Sequence, residues 1–202
     1  MTDKPLYHEG MRQLQDARET RALADRLEQV IVREAFTAED RAFIERCAMV
    51  FVATADGEGF PDCSYKGGLP GFVRVVDERT LAIPDYDGNG MYRSWGNVRV
   101  NPRVGLLFID FELQKRLRVN GTASVVADDP LRSEMEGAVF VIRIAVDRVF
   151  PNCPRYLHRM QLAEPSVYAP RPDYTPPVPA WKTFDSFRDA LPARDRSEET
   201  GD

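Results

Sequence analysis

From residue 48 onward the chain consists of short runs of β-branched and aromatic residues separated by Gly, Pro and Asp turns. Such a texture is typical of an antiparallel sheet or barrel, because each run has the length of a strand and each turn can reverse the chain. We predict strands over 48–54, 61–67, 72–77, 80–84, 103–110, 116–127 and 138–149. The last of them is an almost continuous apolar run, so we expect it in the interior of the sheet.

Helical periodicity precedes and interrupts these strands. Residues 10–35 lack proline and space their apolar side chains as one amphipathic helix does, and Thr37 is a suitable N-cap for a second, shorter helix. A third helix is predicted over 91–100, ending at Asn101 because a residue before proline is disfavoured in the α region. The segment 152–160 can begin a further helix.

The pattern divides the chain into three parts. We predict an N-terminal helical extension over 1–39, a barrel domain over 40–164, and a C-terminal arm and short tail over 165–202. The arm is rich in proline, which favours an extended conformation over a core element. Trp181 in the tail can close over a ligand or dock on the barrel as an apolar anchor.

Composition excludes several classes of function. The 27 Lys and Arg residues are outnumbered by 32 Asp and Glu, which argues against a protein that coats nucleic acid or an acidic membrane. No apolar run approaches the roughly 18 residues of a membrane span, and the N-terminus lacks a signal-peptide pattern, so we expect a cytoplasmic protein. Three widely spaced cysteines and two histidines form neither a metal-ligand pattern nor a nucleophilic triad. An organic cofactor is the better source of reactivity.

The segment 85–97 opens the third helix with two glycines and Asn89, and it places Arg93 and Ser94 in the first helical turn. Free amide groups, a hydroxyl and a guanidinium at a helix start favour the binding of a phosphate. The alternative is an ordinary tight turn followed by a capped helix.

Two further groups of cations can meet an anion. Lys66 ends a polar strand before two glycines and can face a ligand, or it can be a solvated lysine that protects a sheet edge. Arg116 and Arg118 alternate with Leu117 and Val119, so the two arginines share one strand face. That face needs an anionic partner if it is buried, or it faces solvent.

In order along the chain, these segments resemble the FMN-binding split barrels of the pyridoxamine 5′-phosphate oxidase-like family. The resemblance is carried by NPRVGLLFIDFELQKRLRVNGTASV at 101–125, with SYKGG, AIPDY and GMYRSWGN upstream, and it covers about residues 40–150. The GNG and SWGN variants are similar to the uncharacterised flavoprotein branch rather than to the vitamin enzyme. The resemblance implies a mainly β fold with flanking helices, a six- to seven-stranded antiparallel Greek-key split β-barrel.

The resemblance also implies a homodimer with FMN in clefts between the subunits. Lys66 would lie beside the flavin, the backbone of Pro84 and Asp85 would line the ring, and Arg93 and Ser94 would hold the phosphate. Arg116 would reach the flavin of the other subunit. The predicted cofactor site comprises Cys63, Ser64, Tyr65, Lys66, Pro84, Asp85, Asn89, Arg93, Ser94, Asn97, Arg116 and Arg118.

The function implied is that of an FMN-dependent oxidoreductase acting on a small-molecule substrate. The vitamin enzyme has an Arg-Lys pair at the phosphate helix and a C-terminal Arg-Leu-His element. This chain has Arg93 followed by Ser94, and no histidine after Trp181. Oxidation of pyridoxamine phosphate is therefore not expected. The alternatives are a non-catalytic flavin or haem binding or storage protein, and a reductase that uses the deazaflavin F420.

Overall fold

The structure, a computed structural model, describes residues 5–196, which contain seven strands and five α-helices. The strands are β1 (Met49–Ala55), β2 (Pro61–Gly67), β3 (Arg74–Asp77), β4 (Thr80–Asp85), β5 (Arg103–Asp110), β6 (Lys115–Val126) and β7 (Phe140–Pro151). The helices are α1 (Glu9–Ala17), α2 (Arg21–Ile31), α3 (Ala38–Arg46), α4 (Arg93–Val100) and α5 (Asp185–Arg188). None of the helices described over 5–196 is long and apolar enough to cross a membrane.

All seven strands form one antiparallel sheet in the order β2-β1-β5-β6-β7-β4-β3. The predicted fold class, a mainly β antiparallel split barrel with flanking helices, is confirmed, and each predicted strand agrees with an observed one to within two residues at either end. The apolar strand β7 lies between β6 and β4, as expected for an interior strand. Strands β2 and β3 form the two ends of the order, so each has one edge that pairs with no other strand of residues 5–196.

The core follows from the alternation of side chains along the strands. On β6, Leu117 and Val119 are buried while Arg118 between them is exposed, which confirms the predicted division of that strand into two faces. Phe108 and Ile144, from the neighbouring strands β5 and β7, are also fully buried. Burial of such side chains supplies most of the driving force for folding.

The prediction of one continuous helix over 10–35 is wrong, because the structure has two helices there. Glu19 adopts a left-handed backbone conformation, with φ of 55°, and it separates α1 from α2. An ion pair of 2.6 Å between Arg12 and Asp25 then joins the two helices. Apolar periodicity records which face of a helix is apolar, and it does not reveal a single residue at which the chain turns.

The second predicted helix begins as expected. The hydroxyl of Thr37 accepts a hydrogen bond from the Asp40 amide, and the Asp40 carboxylate accepts one from the Thr37 amide. This reciprocal pair is a capping box. Arg33 donates to the same carboxylate at 2.8 Å and pairs through its backbone with Val149 of β7, so this residue ties the N-terminal extension to the sheet.

The prediction of a helix over 152–160 is also wrong. The segment makes one turn, in which the Leu157 amide donates to the Pro154 carbonyl, and it is otherwise irregular. Several of its other polar groups bond instead to the β5–β6 hairpin. The Met160 amide donates to the Phe111 carbonyl, and Gln114 Nε2 donates to the Leu157 carbonyl at 2.7 Å. Tertiary partners therefore replace the hydrogen bonds that a helix would have formed.

Candidate cofactor-binding site

The loop from β4 to α4 turns sharply before the helix starts. Gly90 has a φ of 76°, and Tyr92 has a φ of 48°, a left-handed conformation that is uncommon for a residue other than glycine. The side chain of Asn89 accepts a hydrogen bond of 3.1 Å from the Met91 amide and so supports the turn. The loop thereby delivers the start of α4 next to β2.

The first turn of α4 presents unpaired donors. The first hydrogen bond at this end of the helix runs from the Gly96 amide to the Tyr92 carbonyl, at 2.7 Å. The amides of Arg93, Ser94 and Trp95 precede it and have no acceptor within the helix. The helix dipole adds a partial positive charge at the same place. This end of α4 therefore has the donors that an anion requires.

Strand β2 faces the start of α4 with alternate side chains. Asp62, Ser64 and Lys66 are partly buried, whereas Cys63 and Tyr65 between them are exposed. Arg93 Nε donates to Asp62 Oδ1 at 3.2 Å, and the Arg93 side chain remains 62% exposed. The guanidinium is therefore held at the mouth of the site by one carboxylate and remains accessible to an anion.

A buried cluster lies deeper in the site. Trp95 Nε1 donates a hydrogen bond to Asp85 Oδ1, and the Lys66 ammonium lies 4.9 Å from the centre of the Trp95 ring. Among residues 5–196, no carboxylate oxygen is within ion-pair distance of Lys66 Nζ. Lys66 is thus a half-buried lysine stacked on tryptophan, and the interpretation as a solvated edge lysine is wrong.

Burial changes the proton affinities of the two charged members of this cluster. It raises the pKa of Asp85, against the opposing effects of the Trp95 hydrogen bond and the Lys66 charge. It lowers the pKa of Lys66, against the opposing charges of Asp85 and Asp62. An anion placed beside Lys66 would offset the cost of burying the ammonium.

Two adjoining cavities run through these residues. The smaller, of about 240 Å³, includes in its lining Cys63, Ser64, Asn89, Arg93 and Ser94. The larger, of about 320 Å³, includes Tyr65 and Pro84. They share four lining residues, Lys66, Asp85, Tyr86 and Gly88. One end of this combined cleft is rich in donors for an anion, and the other end is bounded largely by apolar groups.

The structure brings nine of the twelve predicted cofactor residues to the two cavities, namely Cys63, Ser64, Tyr65, Lys66, Pro84, Asp85, Asn89, Arg93 and Ser94. The other three lie elsewhere in the chain. Asn97 Nδ2 donates to Thr54 Oγ1 at 3.1 Å. Arg116 Nη2 donates to the Cys153 carbonyl at 2.6 Å, and Arg118 is exposed on the same outer face of β6. Neither arginine is among the residues that line the two cavities.

Sequence reasoning missed several residues of the site, among them Asp62, Trp95 and Tyr86. Asp62 follows the same alternation as Ser64 and Lys66, so the strand period could have identified it. Trp95 and Tyr86 gave no comparable signal, because an aromatic residue in a loop or short helix is more often a core residue than part of a site. Burial raises the pKa of the Tyr86 hydroxyl to about 12, which keeps it a neutral hydrogen-bond donor.

Comparison with known proteins gives one family and a set of solved structures. The family described as pyridoxamine 5′-phosphate oxidase matches residues 36–153, more than half of the chain. No curated protein matches. A putative pyridoxamine 5′-phosphate oxidase from Lactobacillus delbrueckii is 24% identical, with 58% of this chain and 95% of that chain covered and a TM-score of 0.47.

Two further solved structures are similar to the chain. An FMN-binding protein from Syntrophomonas wolfei is 9% identical, with 70% of this chain and 97% of that chain covered and a TM-score of 0.47. The haem storage protein HutZ from Vibrio cholerae is 20% identical, with 55% of this chain and 91% of that chain covered and a TM-score of 0.43.

Proposed function

Because the chain belongs to the pyridoxamine 5′-phosphate oxidase family, we propose that it binds FMN in the two adjoining cavities and acts as a flavin-dependent oxidoreductase. One observation carries the proposal. A donor-rich cavity at the start of α4 adjoins a largely apolar cavity, and Lys66 and Asp85 line both. A flat ring with an anionic tail has the same division between an apolar end and a charged end.

The donors at the start of α4 fit a phosphate group. Three amides of the first turn, the Ser94 hydroxyl and the Arg93 guanidinium can each donate a hydrogen bond to a phosphate oxygen. Asp62 already accepts one hydrogen bond from Arg93 at 3.2 Å, and it is the local competitor for that cation. Arg93 and Ser94 are therefore the residues that would hold the phosphate.

At the other end, Lys66, Pro84 and Asp85 would lie along the ring. Bound FMN supplies the capacity to accept and release a hydride or electrons. The Lys66 ammonium would stabilise negative charge on the reduced ring, and its position against Trp95 limits the access of water to it. The hydrogen bond from Trp95 to Asp85 holds the tryptophan in that orientation.

The proposal includes a homodimer. Arg116 and Arg118 lie on an outer face of β6, away from the cavities of their own chain, and could contact a cofactor in a second chain. Light scattering on the purified protein gives its molar mass and so tests the proposed dimer. A monomer that binds FMN normally would refute the assignment of both arginines to the site.

The chromophore of the purified protein tests the function. The protein should be yellow, release FMN on denaturation, and oxidise or reduce a small molecule with NADH, NADPH or oxygen as the co-reactant. Bound FMN without turnover would favour the storage function instead. If mass spectrometry identifies haem or F420 as the bound ligand, that ligand replaces FMN as the assigned cofactor. A colourless protein that also fails to bind added FMN would refute the proposal.

A further inference from the structure

The larger cavity is closed on one side by the C-terminal arm. Lys66 and Phe72 of the barrel domain line it on one side, and Leu162 and Tyr168 line it on the other. The residues of segment 162–169 in this lining, which spans the end of the barrel domain and the start of the arm, are all uncharged: Leu162, Pro165, Ser166, Tyr168 and Ala169. Segment 162–169 therefore forms an uncharged wall facing the cleft in which we propose that the flavin binds.

Specific contacts hold the arm against the barrel. Ala169 is only 6% exposed, and Pro170 lies so close to Gly137 that a Cβ atom on that glycine would approach the proline ring to 2.6 Å. The Tyr174 hydroxyl donates a hydrogen bond of 3.0 Å to the Val167 carbonyl, which folds the arm back on itself. The wall is thus part of the folded structure of the described chain.

A buried lysine connects the tail, residues 180–196, to the loop between β4 and α4, which is called the cofactor loop below. Lys182 Nζ contacts Asp87 Oδ2 at 2.7 Å and Asp195 Oδ1 at 2.9 Å, and its side chain is 8% exposed. Asp87 belongs to the β4–α4 loop and lines the larger cavity beside Gly88. A lysine buried to this extent depends on its carboxylate partners, because an unpaired buried ammonium is strongly unfavourable.

The tail does not share a continuous core with the barrel. A cavity of about 1190 Å³ lies behind the arm, with Asp87, Tyr168 and Lys182 in its lining. The aromatic residues Phe184 and Phe187 of the tail are about half exposed. The ion pair of Lys182 with Asp87 is therefore a principal attachment of the tail to the loop that carries Asn89 and leads to α4, and a longer pair of 3.6 Å between Arg194 and Asp87 adds to it. Asp195 belongs to the tail and helps to hold Lys182 in place.

We propose that residues 162–169 are a lid over the ring end of the cleft and that Lys182 is the positioning residue that latches this lid to the cofactor loop. This inference rests on the proposed function. The chamber under the lid, at about 320 Å³, is at the small end of the range for ligand sites, about 300 to 1,000 Å³.

Three variants test the latch in the FMN-loaded protein. Lys182→Met removes both ion pairs, Lys182→Arg retains the charge, and Arg188→Met removes an exposed ion pair of the same tail with Asp185. Iodide quenching of flavin fluorescence reports access to the ring, and FMN dissociation reports retention. In Lys182→Met, loss of a charged hydrogen bond should raise the iodide quenching constant and the rate of FMN dissociation by roughly tenfold each. Lys182→Arg should keep quenching and dissociation close to their wild-type values, because it retains the cation. Arg188→Met should leave quenching and dissociation unchanged.

The outcomes separate the latch from the proposed function. If wild type binds FMN and Lys182→Met matches it in quenching and dissociation, the latch is refuted, even if thermal stability falls. Asp87→Asn weakens the attachment from the loop side, at its pairs with both Lys182 and Arg194, and replaces Lys182→Met if that variant fails to fold. If wild type binds no FMN, the proposed function fails. The latch is then tested by comparing amide hydrogen exchange in wild type and Lys182→Met. Faster exchange of the Ala169 amide, which is buried and donates to the Ser166 carbonyl, in Lys182→Met supports it, and unchanged exchange of that amide overturns it.

Discussion

Arg93→Ala is the sharpest test of the phosphate end of the site. Arg93 begins α4, its side chain is 62% exposed, and one contact, from Nε to Asp62, is seen at 3.2 Å. The substitution removes a cation from the mouth of the smaller cavity while leaving the amides of the first turn in place. The unfolding free energy should change little, because the side chain packs against little of the core.

The loss of FMN affinity can be bounded from this geometry. A hydrogen bond to a charged group contributes about 1.5 to 3 kcal/mol. Exposure to solvent places Arg93 in the lower half of that range, about 1.5 to 2 kcal/mol, which is roughly a ten- to thirtyfold rise in Kd. Asp62→Asn should act in the opposite direction. Removing the competing carboxylate relieves a repulsion of about 1 kcal/mol, roughly a fivefold fall in Kd.

Titration of the apoprotein with FMN, followed by the quenching of flavin fluorescence, measures these constants. Arg99→Ala is the matched control, because Arg99 is an exposed arginine in the last turn of the same helix. The difference between Arg93→Ala and wild type should shrink as salt is added, since exposed charges are screened. Equal Kd values for Arg93→Ala, Arg99→Ala and wild type would refute the assignment of the phosphate to the start of α4.

Two further predictions concern the sheet that positions the site. Two hydrogen bonds from Arg143, at 2.6 and 2.8 Å, lower the pKa of the buried Asp129. The ionised carboxylate therefore stabilises the fold fully above the ordinary carboxyl pKa, and this stabilisation is lost as the pH falls through the lowered pKa of Asp129. Asp129→Asn should lower the free energy of unfolding, measured in urea, by about 3 kcal/mol at pH 7 and by progressively less below about pH 4. A decrease that is independent of pH would contradict this explanation. A Cβ atom on Gly121 would lie 2.4 Å from the Ala145 carbonyl oxygen, so Gly121→Ala should lower the unfolding free energy by about 1 to 3 kcal/mol. Gly57→Ala, where a Cβ meets nothing within 4 Å, is the control, and equal losses would exclude the steric cause.

The strands were predictable because their signal is local. The alternation of side chains along β6 fixes which residues face the core, and the polar break at Asn101-Pro102 ends α4 wherever that helix lies in the fold. Family resemblance added the grouping of β2 residues with the start of α4, and nine of the twelve proposed cofactor residues line the cavities. Their contact with FMN remains a prediction.

The errors arose where distant segments compete with local preference. Residues 152–160 contain the start signals of a helix, yet hydrogen bonds to the β5–β6 hairpin give the segment another conformation. The break at Glu19 accompanies the ion pair between Arg12 and Asp25, thirteen residues apart. A window of local sequence records neither kind of contact.

Side-chain periodicity, turn residues and charge balance thus specified an antiparallel barrel with a cation-bearing helix start, because each of these properties is carried within a few consecutive residues. Burial of Lys66 against Trp95, and the closure of the cleft by the C-terminal arm, arise from tertiary packing. Lys182 and Asp87 meet although 95 positions separate them. Such contacts depend on the path of the whole chain in space, and that path decides which charges become buried and which surfaces become walls of a cavity.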